Sequence, residues 1–280
     1  MTAFWARYAR NRGAVAGIVI LVLVLVLAVA APALYPRSPW AMVQRPFLPP
    51  FTNGGFPLGT DTMGRDIASA VAHGAGVSLL VGFVSTLAAL LIGIPIGAVA
   101  GYFGGRVDDL LMRFTEFFQS VPNFALAVVL VAIFRPSLVS IVAAIAIVSW
   151  PPVARLLRGE VMALRGREFV QAAVLSGQRS GPIILRQILP NTLSPVIVLG
   201  TMMVAAAILL ESALSFMGLG DPNIMSWGYV IGAGRTVIRQ AFLFAMGGGL
   251  VGAAVAACLC AGSRIRFRFA PPVRERGGAG

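Results

Sequence analysis

REFVQAAVLSGQRSGPIILRQILPNTLSP, residues 167–195, decides how the rest of the chain is read. It is basic, punctuated by glycine and proline, and set between strongly apolar runs. Such a segment in such a setting marks a membrane protein that crosses the bilayer several times and presents one shaped loop to a partner. Residues 165–176 can form a short amphipathic helix. Gly177 then suits the position just past its end, where a positive φ is needed. Ser180 is placed to cap a second helix with Pro182 in its first turn, and Pro190 should end that helix before the next span. The small side chains of Ala172 and Ala173 allow another surface to come close. The expected shape is a helix–turn–helix elbow. A basic loop held against anionic lipid is the plainer reading, but the Ala-Ala, Gly and Leu-Pro pattern argues against it.

Composition supports the membrane setting. The chain is 58% hydrophobic and only 11% charged, with a mean hydropathy of +0.87, so lipid is its main solvent. A net charge of +12 could point to nucleic acid, but the charges fall between apolar runs and not along one face. All 22 basic residues are Arg. Cys258 and Cys260, two apart on a helix, point to different sides; they read as apolar filler and hold no metal by themselves. His73 is the one histidine and reads as a loop residue.

Six membrane spans are expected, at residues 14–31, 77–100, 117–134, 138–152, 193–214 and 241–262. The first is just long enough to cross about 30 Å of hydrocarbon. It could instead be a cleavable signal peptide, but its apolar run exceeds the usual length, so a retained helix is expected. Gly93, Pro95 and Gly97 should kink the second span. Arg135-Pro136-Ser137 should join the third and fourth as a tight hairpin. Segments 1–13 and 263–280 are read as an N-terminus and a basic tail. Residues 32–76 form a long loop, and 77–262 a core with a coupling loop at about 153–191. A second loop, 215–240, faces the same side as 32–76, and both should cap the mouth of the bundle. Sixteen arginines fall on one side and six on the other, which puts both termini in the cytoplasm.

Several chemistries are excluded. Without Lys there is no G-x-x-x-x-G-K-[ST] loop to grip nucleotide phosphates. One histidine supplies neither H-E-x-x-H nor a Ser-His pair to complement it. Glu211, toward the outer end of the fifth span, is the clear ionisable group inside the spans. It should face the protein interior or a water-filled cavity, either on a substrate path or as hydrogen-bonded packing glue.

Gln171-Ala172-Ala173, Gly177 four residues on, and Leu189-Pro190 resemble the EAA loop of bacterial ABC-importer permeases. Asn191 and the preceding ILRQI resemble the dipeptide, oligopeptide and nickel branch of that family. Leu58-Gly59-Thr60-Asp61 with Gly64-Arg65-Asp66, residues 208–220 (ILLESALSFMGLG), and Ser226-Trp227-Gly228 agree with it. A first span ahead of a long outer loop is similar to the C-type permease of that branch. The chain departs from the family pattern at Gln171, where the motif has Glu, and at Gly74-Ala75-Gly76, where G-A-R is usual. After Gln240 the resemblance fades.

The resemblance implies an all-α polytopic fold of type I importer architecture in a bacterial inner membrane. It implies a second homologous permease, two cytoplasmic ATPase subunits that bind ATP and Mg, and an extracytoplasmic substrate-binding protein. This chain would bind no cofactor itself. Glu168, Gln171, Ala172, Ala173 and Gly177 would meet the ATPase, with Leu189 and Pro190 supporting the elbow. Met202, Met203, Glu211 and Ser212 are candidates for lining the path. Asp61, Arg65, Asp66 and Trp227 are candidates for an outer gate or a contact with the binding protein. The alternative is a stand-alone secondary transporter, which would show internal symmetry that this sequence lacks.

Overall fold

The computed structural model describes residues 12–235. Its helices are α1 (Arg12–Leu34), α2 (Ile67–Phe103), α3 (Gly105–Ser120), α4 (Asn123–Phe134), α5 (Leu138–Arg165), α6 (Glu168–Leu175), α7 (Ser180–Phe216) and α8 (Trp227–Gly234). Among the described residues there is no strand, only isolated bridges at Met42–Arg65 and Thr60–Asp66. Four helices, α1, α2, α5 and α7, are long and apolar enough to cross a membrane. The pair α3–α4, bent by 83° at its break, makes a fifth if taken as one span. The sixth expected span, 241–262, lies outside the described residues.

The long helix α2 is the spine, and glycine lets its neighbours reach it. Gly93, Gly97 and Gly101 recur every fourth residue, so they share one face. A Cβ at Gly97 would sit 2.4 Å from the Ala154 carbonyl oxygen, and one at Gly101 would sit 2.7 Å from that of Arg158. The α2 and α5 backbones therefore touch, as small-residue stripes in membrane helices allow. The expected kink at Gly93, Pro95 and Gly97 does not appear as a break: α2 runs on through Pro95, and its glycines serve packing. By contrast α1 is peripheral, with 17% of its apolar window buried, mainly against α2.

Other element limits also shift. Helix α2 begins at Ile67 and not at 77, because the Asp66 carboxylate accepts the Ala68 N–H at 3.0 Å and caps the first turn. His73 is therefore helical, its Nδ1 3.0 Å from the Ser69 carbonyl, and not a loop residue. The expected 117–134 span breaks at Val121, which takes the extended conformation that a following proline imposes (φ −93, ψ 133). Residues 117–120 belong to amphipathic α3. That helix is tied to α5 by the Asp108–Arg158 pair, at 2.5 Å (Oδ1–Nε) and 2.6 Å (Oδ2–Nη2). Helix α5 does not stop near Pro152 but passes through Pro151 and Pro152 to Arg165. Burial of Trp150, Val153, Ala154 and Leu157 offsets the lost backbone bonds, and Arg155 and Arg158 are helical and not in a loop. The tight turn at Arg135-Pro136-Ser137 forms as expected, with Ser137 Oγ accepting the Ser140 N–H at 3.1 Å.

Pro190 does not end the elbow's second arm. The helix from Ser180 continues into the span without interruption. Residues Ile183–Ile188 form a π-helical turn, closed by Leu189 N–H bonding to the Ile184 carbonyl. The widened turn takes up the clash that a proline ring makes with the preceding turn. Asn191 Nδ2 donates to the Gln187 carbonyl at 2.6 Å, satisfying a group near the disturbed turn.

Candidate functional site

Two structures project beyond the long helices. One is the elbow, α6 with the first turns of α7. Arg167 starts α6 in an extended conformation, and Glu168 lies in its first turn, where a carboxylate suits the helix dipole. At the other end Gly177 has φ +75; its N–H bonds the Val174 carbonyl at 3.0 Å, and Gln178 N–H bonds the Ala173 carbonyl at 3.1 Å. This is the Schellman ending that the sequence predicts at Gly177. Ser180, expected as an N-cap, is instead already helical, with Arg179 before it and no side-chain cap.

The elbow is two-faced. Val170 and Ala173, three apart, turn inward onto Leu157, Val161, Ile183, Ile184, Ile188 and Val196. Ala173 is 5% exposed, so it is a packing atom of the elbow and not part of its outer surface, contrary to expectation. Glu168, Gln171 and Ala172 face outward with Leu175, which is 88% exposed. Leu189 packs against the inner cluster and Pro190 is exposed. Gln171 Nε2 donates to the Gly166 carbonyl at 3.3 Å, a bond that the motif's Glu could not make. An open groove of about 740 Å³ runs beside this face, lined by Tyr102, Phe103, Arg165, Gln171, Val174 and Leu175.

The second structure is a cap made from residues 35–66, the 217–226 loop and α8. Of the four expected gate residues, Asp61, Arg65 and Asp66 come together here, Arg65 and Asp66 buried and Asp61 half-buried, while Trp227 packs further along α2. Arg65 is 8% exposed: its guanidinium carbon lies 4.8 Å from the Trp40 ring centroid, and Nη1 donates to Tyr229 Oη at 3.0 Å. Asp61 accepts the backbone N–H groups of Met63 and Arg65, both at 2.8 Å. Trp227 is fully buried, its indole donating to the Val71 carbonyl at 3.0 Å and its N–H to Ser78 Oγ at 3.1 Å. Burial raises the Asp66 carboxyl above its ordinary range, against the opposing pull of the Ala68 and Ser69 N–H groups. Burial, then the nearby Asp66 charge, raises the Tyr35 phenol as well.

Glu211 fastens α7 to this cap. It is 2% exposed and accepts from Ser215 Oγ at 2.8 Å, Ser226 Oγ at 2.7 Å and, more weakly, Ser212 Oγ at 3.5 Å. A Cβ at Gly228 would lie 2.9 Å from Glu211 Oε1, so glycine is what lets α8 approach. Of the candidate path residues, Met203 packs against Ala89 and Trp150 and is turned away from any opening. Met202, 45% exposed, lies on an open face of α7 with Leu209, seven residues on. The four are not gathered on one surface. Tyr229, Trp40, Ser215 and Leu175 were not singled out from sequence; Leu175 alone had a signal, its helical phase with Glu168 and Ala172.

The architecture is that of an ABC-importer permease subunit. An inward-facing structure of the MetNI methionine ABC transporter superposes with a TM-score of 0.58, covering 71% of this chain and 95% of that one at 17% identity. The family described as "Binding-protein-dependent transport system inner membrane component" matches residues 93–265, and "N-terminal TM domain of oligopeptide transport permease C" matches residues 1–50. The chain belongs to this family of inner-membrane transport components. It is 38% identical over 246 residues to the di/tripeptide transport system permease protein DppC of Pseudomonas aeruginosa, covering 85% of this chain and 81% of that protein. It is 38% identical to the oligopeptide transport system permease protein OppC of Escherichia coli (81% and 76%), and 32% to the dipeptide permease DppC of Haemophilus influenzae (97% and 95%). The family match continues past Gln240, where the sequence motifs give out, so the expected fading there is corrected.

Proposed function

We propose that this chain is the permease subunit of a peptide importer and forms half of the translocation route. A second, homologous permease supplies the other half. The termini and the elbow face the cytoplasm and the cap faces outward, in keeping with the arginine distribution. Two ATPase subunits, which hold ATP and Mg, receive one elbow from each permease. A binding protein delivers peptide to the cap side. Peptide is the cargo favoured by relatives named for dipeptide, di/tripeptide and oligopeptide transport.

The observation that carries this reading is the two-faced elbow. Its inner face is consumed by packing within the chain, while Glu168, Gln171, Ala172 and Leu175 stand outward with nothing among the described residues to cover them. A fully solvated Leu on a rigid, capped helix fits a surface made for a partner. Glu168, Gln171 and Ala172 are assigned to ATPase contact; Ala173, Gly177, Leu189 and Pro190 shape the elbow. Of the path candidates, Met202 keeps that assignment. Asp61, Arg65, Asp66 and Trp227 are assigned to holding the cap rigid, not to touching a ligand.

Purification from membranes in mild detergent tests the assembly. The expected outcome is a complex with an ATPase and a second permease whose labelled-peptide uptake, once reconstituted, requires ATP. Uptake driven by an ion gradient with no ATPase bound would sink this reading in favour of a secondary transporter.

A further inference from the structure

The cap contains a closely bonded hairpin whose tip has no partner among the described residues. Residues 43–51 run antiparallel to 57–64. They are joined by Val43 N–H to the Gly64 carbonyl at 2.9 Å, Phe47 to Asp61 at 3.2 Å, Thr60 to Leu48 at 3.2 Å and Phe51 to Pro57 at 3.1 Å. Thr60, fully buried, pins both arms: its Oγ1 accepts the Leu48 N–H at 3.0 Å and donates to the Arg45 carbonyl at 2.7 Å. The arms can close only over glycine, since a Cβ at Gly59 or Gly64 would fall 2.1 Å or 2.0 Å from a facing carbonyl oxygen. At the tip, Asn53 Oδ1 accepts the Gly55 N–H at 3.1 Å and its carbonyl accepts the Phe56 N–H at 3.0 Å.

On this support stands Phe51, 86% exposed, with φ +61. A bulky residue in that region is strained and persists where its surroundings over-determine it, a pattern that gathers at functional positions. Phe47, 40% exposed, shares the strain at φ +58. The hydrocarbon of the membrane does not explain the ring: irregular, uncovered backbone is excluded from that region, and Thr52, Asn53, Gly54 and Gly55 around it are all exposed. The finger therefore stands in water, holding an aromatic ring in place at no conformational gain to the chain.

We propose that Phe51 is an aromatic finger by which this permease engages its substrate-binding protein, the ring entering an apolar recess on that protein. The inference rests on the permease reading given above and on the family's dependence on a binding protein. A rigid, preorganised aromatic is the residue type that dominates protein interfaces, because little freedom is lost when it docks. The buried Arg65 and Asp66, bridged to Met42 and Thr60 at the base of the hairpin, form its mount, so the contact falls on Phe51 and not on the motif residues beside it.

The test uses the reconstituted complex and the purified binding protein of the same transport system. The readout is the concentration of binding protein that half-maximally stimulates ATP hydrolysis. Phe51→Gly removes the ring and also relieves the positive φ, so a lost contact cannot be ascribed to a misfolded hairpin. It should raise that concentration at least about tenfold, whereas Phe51→Trp should stay within about threefold of the parent. A photoreactive phenylalanine at position 51 should cross-link to the binding protein. An unchanged half-saturating concentration in Phe51→Gly, or cross-links only to lipid or to the second permease, would overturn the finger. If the parent complex itself shows no stimulation by the binding protein, the permease reading fails along with it.

Discussion

The cap and the elbow solve the same problem, holding non-spanning chain at the end of a bundle, by opposite means. The cap is fastened by polar groups turned inward: Arg65 between Trp40 and Tyr229, Thr60 between two arms, Glu211 among serines. The elbow is fastened by an apolar inner face, and its polar side chains look out. Directional bonds fix a single geometry and are costly to leave unmade once buried. Apolar contact is non-directional and tolerates small sliding. The difference separates a region that directional bonds hold in one geometry from one whose proposed role is to pass a displacement on.

The sharpest way to break this comparison is to exchange the elbow's faces. Ala173→Arg would force a charge into the cluster of Val170, Leu157 and Ile188, and it should cost more than about 4 kcal/mol, read as rapid proteolysis between α5 and α7. Its neighbour Ala172→Arg should leave thermal stability within about 0.5 kcal/mol while uncoupling ATP hydrolysis from uptake. Equal effects for the two would refute a two-faced elbow. Next in size, Glu211→Ala strands the Ser215 and Ser226 hydroxyls and should lower stability by about 2–3 kcal/mol in a detergent melt. Glu211→Gln keeps an acceptor and should lose less than half of that; equal losses would deny the bonds their role. Gly177→Ala meets no atom within 4 Å, so only backbone strain at φ +75 acts, and about 1 kcal/mol should be lost. Smallest of all, Tyr229→Phe removes one hydrogen bond from Arg65 but keeps the ring; about 1 kcal/mol or less is expected, confined to cap protection in hydrogen exchange.

Much of the fold could be read from residue order. The turn at Arg135-Pro136-Ser137 and the glycine past α6 depend on near neighbours and appear where expected, while the apolar runs fold as helices whose limits differ from those expected. The prolines misled. Pro152 and Pro190 looked like helix ends, yet packing across α2 and a π-helical turn carry both helices through, and neither cause is visible locally. Pro122, which falls inside the expected 117–134 span, is where the helix does break, because no comparable packing holds Val121 in a helix. In the site, the elbow's position is legible in its motif, and its phase in the three-residue spacing of Val170 and Ala173, which share a face and so turn Ala173 inward. The Asp108–Arg158 and Arg65–Tyr229 pairs link residues 50 and 164 positions apart, and nothing in a single sequence announces such meetings.

Because α7 is one uninterrupted helix from Ser180 to Phe216, its two ends cannot keep separate counsel. Thirty-one residues of rise set Ser180 and Glu211 roughly 47 Å apart, a distance greater than the hydrocarbon is thick. Tilting the rod at one water interface swings the serine-bound carboxylate at the other, like a rocker arm on a fulcrum. The message crosses the bilayer in a single piece of backbone, with no relay of side chains in between.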